Sequence, residues 1–173
     1  MALQFIQIER ENDYHYSLAQ ELWLPFCKEL RLHDGITESD EHILTGLQKR
    51  IGIQGARNDM HFELALIGET AIGISMFAID LGTVYGLLEK GYGTIMGFYI
   101  QPAFRRKGYG RSFYCHIEET LVNDGAKMIY LTPDGVTGIP FWAALGFRDS
   151  GIIDPDDKNR YTSRIVLFSC WLR

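Results

Sequence analysis

The sequence predicts an α/β fold, a mixed sheet flanked by helices. Three observations lead to it. Two segments before residue 61 and one after residue 110 carry apolar residues at helical spacing. Between them the chain switches to short runs of branched and aromatic residues. Glycine-containing turns separate those runs. With 173 residues, 46% of them hydrophobic, the chain suits one well-buried core, so residues 1–173 are read as a single domain.

"LQFIQI" alternates and predicts a strand over residues 3–8. From about Asp13 to Leu32, the residues Leu18, Leu22, Phe26 and Leu30 recur at four-residue spacing and form one helical stripe. Pro25 is expected to bend or break that helix. "TESD" is an N-terminal capping pattern, and Ile43, Leu47 and Ile51 behind it predict a second helix ending near Gly52 or Gly55. "HFELALIG", "ETAIGISMFAID" and "GTIMGFYIQP" then predict three successive strands. "RSFYCHIEETLVND" returns to helical spacing through Phe113, Ile117 and Leu121, with Gly125 as its stop. "KMIYLT" reads as a strand, "TGIPFWAAL" as a short helix with Pro140 in its first turn, and "GFRDSGII" and "YTSRIVLFSCWL" as final strands.

Composition excludes several functions. The formal charge of −5 argues against a protein that grips nucleic acid, which needs a broad basic face. No run approaches the ~20 apolar residues of a membrane helix, and "MALQFIQIER" lacks the basic start and apolar core of a signal peptide, so a cytoplasmic protein with no membrane partner is expected. Cys27, Cys115 and Cys170 are far apart and in no C-x-x-C pair, which predicts reduced thiols. His15, His33, His42, His61 and His116 show no metal-ligand spacing, and no metal is expected.

Against this acidic background stands one dense cationic cluster, Arg105, Arg106, Lys107 and Arg111, interleaved with Gly108 and Gly110 where a strand gives way to a helix. A helix start exposes unpaired N–H groups and about half a positive charge. Glycines let an anion approach the backbone. The plain alternative is a solvated turn that keeps a sheet edge soluble. A dinucleotide fingerprint fails, because the third glycine position is Phe113, or Met96 in "GYGTIM". The P-loop pattern G-x-x-x-x-G-K-[ST] is absent from the sequence.

"IQPAFRRKGYGR" resembles the acetyl-CoA motif of the GNAT N-acetyltransferase superfamily, [QR]-x-x-G-x-[GA], filled here by Arg105, Gly108 and Gly110. Downstream, "PFWAALGF" is similar to the family's F-Y-x-x-L-G-F. The resemblance implies a GNAT-like fold over the whole chain, with a mostly antiparallel sheet splayed between its fourth and fifth strands. It implies acetyl-CoA as cosubstrate, its pyrophosphate held by the backbone from Arg105 to Gly110, with Arg106, Lys107, Tyr109 and Arg111 alongside. Phe98, Tyr99 and Ile100 would pair with the pantetheine arm like an added strand. Trp142 would cover the cofactor tunnel.

The implied reaction moves an acetyl group directly to an amine of a small molecule or peptide. A lysine-like amine of pKa near 10.4 is neutral only about once in 2,500 molecules at pH 7, a cost of roughly 4–5 kcal/mol. A base, an oxyanion donor and an acid are therefore needed. Trp142 stands where many relatives carry a tyrosine acid, and Thr94 lies in "GTI" where some place a glutamate base. Tyr99 and Tyr130, each between apolar residues near a strand end, are the substitute catalytic candidates, with Asp80 and Glu63 behind them. The simpler account of an aromatic on a strand is packing.

By the same resemblance the acceptor groove maps to "RLHDGITESDEH", "LGTVYGLLEKGYG" and "DPDDKNRY". Asp34, Glu38, Asp40 and Glu41, with Asp154, Asp156 and Asp157, would attract a cationic acceptor, although acids before a helix also serve as caps. Two alternatives stay open: a non-catalytic acyl-CoA-binding regulatory module, and a transferase using another acyl group or an oxygen acceptor. A homodimer is expected through the last strands, around "IVLFSCWL".

Overall fold

The computed structural model describes residues 3–53, 56–82, 90–153 and 162–167, with backbone alone for 150–153 and 162–167. Along the chain run β1 (Leu3–Gln7), α1 (Asp13–Asp34), α2 (Asp40–Gly52), β2 (Met60–Ile67), β3 (Thr70–Ile79), β4 (Gly93–Ile100), a 3-10 turn (Pro102–Phe104), α3 (Tyr109–Asn123), β5 (Met128–Leu131), α4 (Gly138–Ala144), β6 (Arg148–Ile153) and β7 (Thr162–Leu167). The strands order as β1-β2-β3-β4-β5-β7-β6. This is the mixed sheet flanked by helices that the sequence predicts. The insertion of β7 between β5 and β6 is a feature no local pattern announces.

Two compact units divide the chain, residues 1–77 with 97–116 and residues 78–96 with 117–173. In the first, β1 pairs antiparallel with β2 from Leu3↔Ile67 to Gln7↔Glu63. The amide of Ile8 still bonds the Phe62 carbonyl at 2.8 Å, so the pairing runs through the predicted residues 3–8. The apolar stripe of α1 packs with Ile43, Leu47 and Ile51 of α2 onto Phe62, Leu64 and Ile74 of the strands.

Each helix starts where a polar side chain can replace a missing partner. Asn12 accepts from the His15 amide at 3.1 Å and begins α1, while Ser39 accepts from the His42 amide at 3.2 Å and begins α2. Gly35 ends α1 at φ +67°. Pro25 does not break α1, which continues through it to Asp34. Both Pro25 and Glu21, whose carbonyl loses its usual partner, are exposed, and buried Leu22, Trp23 and Phe26 hold the helix around them.

In the second unit β5 pairs antiparallel with β7, and β7 with β6. β4 pairs parallel with β5 through Gly93↔Ile129 and Thr94↔Tyr130. Parallel neighbours need a crossover, and α3 supplies it. The ladder is two pairs long while β4 runs on to Ile100. Among the described residues no helix is long and apolar enough to cross a membrane. Asp154, Asp156, Asp157, Cys170, most of "LGTVYGLLEKGYG" and part of the expected dimer strand lie outside the described residues.

Candidate active site

The basic turn is built by the way β4 ends. Gln101 donates its amide to the Ile72 carbonyl at 2.8 Å and its side chain to the Ala71 carbonyl at 3.1 Å, anchoring the strand end to β3. Pro102 then opens the 3-10 turn, closed by Phe104 onto the Gln101 carbonyl at 2.9 Å and Arg105 onto the Pro102 carbonyl at 3.2 Å. Beyond it Arg106 takes φ +62° and Gly108 φ +86°. Left-handed residues alternating with ordinary ones turn successive N–H groups toward one concavity, a nest for an anion.

The helix starts two residues before "RSFYCHIEETLVND", at Tyr109, and its first recorded amide bond is Ser112 to the Gly108 carbonyl at 3.0 Å. Among the described residues the amides from Arg106 to Arg111 have no acceptor. Arg106, Lys107, Gly108 and Arg111 are exposed, and Tyr109 and Gly110 are half-buried. A Cβ built on Gly108 would meet nothing within 4 Å. The turn is open as well as donor-rich.

The four cations of the cluster are not equivalent. Lys107 Nζ donates to the Ala103 carbonyl at 2.8 Å and lies 5.6 Å over the Phe104 ring. Arg105 points elsewhere. Its Nη2 donates to Glu29 Oε2 at 2.7 Å and its Nε to the Ile100 carbonyl at 2.8 Å. Burial works to lower its pKa, but the Glu29 bond and charge outweigh it and raise it. Its planar side chain stands 5.3 Å over the Tyr99 ring.

Phe98, Tyr99 and Ile100 close β4. Phe98 is half-buried with its ring 5.5 Å from Phe113 of α3. Tyr99 is buried against Phe26 of α1 at 5.5 Å, and burial, with Glu29 nearby, pushes its phenol above the ordinary value against the pull of Arg105. The Ser75 hydroxyl, wholly buried, donates to the Gly97 carbonyl at 2.7 Å and adds another fixed point beneath these residues.

The remaining candidates fall into two groups. In the second unit the Tyr130 hydroxyl donates to Asp80 Oδ2, with both residues buried. Asp80 is itself held, its backbone bonded to Tyr92 at 2.7 Å and Gly91 at 3.0 Å and its Oδ1 to the Gly82 amide at 2.7 Å. Thr94 is buried beside Tyr130 in the ladder. Trp142 is 5% exposed, edge-on to Phe141 at 4.9 Å and Phe147 at 5.0 Å. In the first unit Glu63 meets His116 Nε2 at 2.6 Å, with Phe5 stacked on that imidazole at 4.1 Å.

Asp134 is a residue that sequence reading passes over. Its carboxylate accepts from the Val136, Thr137 and Gly138 amides at 2.9, 2.8 and 2.6 Å and from the Thr137 hydroxyl at 2.7 Å. Burial opposes its charge, yet these donors hold its carboxyl well below the usual range. The spacing Asp134–Thr137 in "PDGVTG" is the signal that could have found it. Of the acids in "RLHDGITESDEH", Glu38 pairs with Arg31 Nε at 2.8 Å and Asp40 with Lys28 Nζ at 2.8 Å. The Arg31 bond holds Glu38 below its ordinary pKa although burial opposes it. Among the described residues no group of three or more His, Cys, Asp or Glu could hold a metal ion.

A strand end, an open amide-rich turn and a helix start in this order, on a mixed sheet with a parallel β4–β5 pair, define an acyltransferase class. A sequence model described as the Acetyltransferase (GNAT) family matches residues 16–147, and the chain belongs to that family. Its fold is similar to the PaiA N-acetyltransferase from Thermoplasma acidophilum in complex with coenzyme A, with a TM-score of 0.65 and 17% identity over 97% of this chain and 100% of that one. It is also similar to the aminoglycoside acetyltransferase AAC(6')-Ib in complex with coenzyme A, TM-score 0.69 at 16% identity over 96% and 95%. An acetyltransferase from Thermus thermophilus gives 0.68 at 16% over 95% of each chain. No curated protein matches the sequence.

Proposed function

We propose that this chain transfers an acetyl group from acetyl-CoA directly to an amine of a small molecule or peptide. The observation that carries the reading is the unbroken run of amides from Arg106 to Arg111 without acceptors, at an exposed turn flanked by cations. A diphosphate would satisfy those donors, which water alone satisfies otherwise. Gly108, where a Cβ would meet nothing within 4 Å, leaves room for it, and Arg106, Lys107 and Arg111 supply full charge. Acetyl-CoA supplies the thioester, and Phe98, Tyr99 and Ile100 are the backbone assigned to its pantetheine arm. The relatives solved with coenzyme A support this assignment as members of the same fold.

Of the two phenols we assign proton transfer to Tyr130, because its hydroxyl has a carboxylate acceptor in Asp80. As the Tyr130 oxygen takes up a proton from the attacking amine, its own hydroxyl proton passes to Asp80, and the reverse transfer supplies the departing CoA thiolate. Tyr99 lacks that arrangement, since Arg105 and Glu29 are its charged neighbours. One observation favours a second reading: Trp142 is packed among aromatic rings where the family's tyrosine acid would stand, as in a module that binds acyl-CoA without catalysis. Release of free CoA thiol from acetyl-CoA, measured across a panel of amines, separates the two. Thiol release dependent on an amine supports the transferase, and tight binding with no release supports the module. Succinyl- and longer acyl-CoA in the same assay test the choice of acyl group.

A further inference from the structure

Arg105 leads the basic turn, yet its side chain is committed to other partners. Nη2 is 2.7 Å from Glu29 Oε2 on α1, and Nε is 2.8 Å from the carbonyl of Ile100, the last residue of β4. Its own amide closes the 3-10 turn on the Pro102 carbonyl at 3.2 Å. One residue therefore ties a helix, a strand end and the entry to the open amides. We propose that Arg105, held by Glu29, is a positioning residue that fixes the end of β4 and the Arg106–Arg111 amides for the diphosphate of acetyl-CoA, and is not itself a diphosphate contact. The inference rests on the acetyl-CoA reading above.

Charge and strain both support it. The pair is partly covered, with side chains 32% and 22% exposed, so Glu29 largely cancels the field of Arg105 and breaking the pair would strand a half-buried carboxylate. Swinging the guanidinium onto a phosphate would also release the Ile100 carbonyl. Arg106 meanwhile holds a left-handed φ of +62°, which costs energy for a residue with a Cβ and persists only where the neighbouring chain is fixed. The Arg105 anchor is the residue immediately before it. Arg106, Lys107 and Arg111, whose charges no carboxylate matches among the described residues, remain to attract the anion.

The two possible roles of Arg105 predict opposite signs. Glu29→Gln keeps shape and removes charge. If Arg105 touched the diphosphate, freeing it from Glu29 would tighten acetyl-CoA binding. If Arg105 positions the turn, Glu29→Gln weakens binding about tenfold, the scale of one charge-assisted hydrogen bond. Calorimetric titration of acetyl-CoA into the full chain at several salt concentrations reads both this change and the salt slope. The double variant Arg105→Gln, Glu29→Gln removes both charges of the pair, so it should weaken binding by a similar factor and leave the slope of log Kd against log salt unchanged, because the net charge beside the turn does not change. Equal or tighter binding by Glu29→Gln, or a flattened slope in the double variant, would overturn the inference. Failure of the unsubstituted protein to bind acetyl-CoA would instead refute the cofactor reading, and the inference with it.

Discussion

Gly73→Ala tests how tightly the candidate cofactor strand is held against its neighbour. A Cβ at Gly73 would lie 2.6 Å from Ile100 Cδ1, 2.9 Å from the Tyr99 carbonyl oxygen and 3.5 Å from Phe113 Cδ1. The Ile100 methyl can rotate away, but the Tyr99 oxygen is backbone. Restoring an ordinary contact requires β4 to withdraw by about 0.5 Å at Tyr99. Overpacking of this kind costs about 1–3 kcal/mol, offset by up to about 1 kcal/mol from replacing a flexible glycine inside a strand. A net loss of about 1–2 kcal/mol corresponds to a melting point lowered by roughly 2–8 °C for a chain of this size.

The same displacement moves Tyr99 and Ile100, so acetyl-CoA affinity should fall together with stability. Thermal melting followed by circular dichroism and calorimetric titration measure the two effects. Gly52→Ala is the matched control, because its Cβ meets nothing within 4 Å and Gly52 closes a helix with ordinary φ. That variant should melt at or slightly above the parent, alanine being the better helix former. A Gly73→Ala protein that melts within about 1 °C of the parent and binds acetyl-CoA equally would refute the close approach of β3 and β4 as the constraint.

Gly108→Ala places a Cβ in open space but on a residue at φ +86°, so about 1–2 kcal/mol of backbone strain should loosen the turn and weaken acetyl-CoA binding; unchanged calorimetric affinity would refute this. Tyr130→Phe removes the donor to Asp80 and should lower kcat with little change in KM for acetyl-CoA, whereas Tyr99→Phe should leave kcat closer to the parent; the reverse ranking in the thiol-release assay would exchange their roles. Asp134→Ala should lower the melting point at pH 7 by the equivalent of about 0.5–2 kcal/mol, as loss of a capping side chain does. Because the folded pKa of Asp134 is depressed, its stabilisation is present above the unfolded value of about 4 and lost as pH falls through the folded one, so the gap between variant and parent should narrow in acid and would contradict the sign if it widened. Burial pushes the Cys27 thiol up to about 11, so in a Cys170→Ser background iodoacetamide at pH 8 should label exposed Cys115 well before Cys27, as peptide mass mapping would report.

The elements are legible in the sequence because each announces itself within a dozen residues. Leu18, Leu22 and Phe26 spell the buried face of α1, and the three runs of branched and aromatic residues between glycine turns spell β2, β3 and β4. Pro25 misleads because its cost depends on which side of the helix faces water, and that is decided by packing. β7 enters between β5 and β6 through pairings such as Ile129↔Val166, which no local period encodes. The turn at Gly108 is legible from glycines and cations alone. The hydrogen-bonded pair of candidates is only half legible: Tyr130 and Asp80 can each be singled out, but their meeting across 50 positions needs the fold.

Charge is where counting along the sequence fails most clearly. The cluster Arg105, Arg106, Lys107 and Arg111 reads as four equal cations, and Asp34, Glu38, Asp40 and Glu41 as a uniformly acidic rim. In the fold Arg105 is matched by Glu29, Glu38 by Arg31 and Asp40 by Lys28. A matched pair sets local geometry and contributes little field a Debye length away. On the proposed reading, attraction of the diphosphate would fall to Arg106, Lys107 and Arg111, with Arg105 as an anchor. For the acceptor the consequence runs the other way, since two of the rim's four acids are already neutralised by their own neighbours. Selection of a cationic amine would then draw on contacts made by the amine itself more than on the summed charge of that loop.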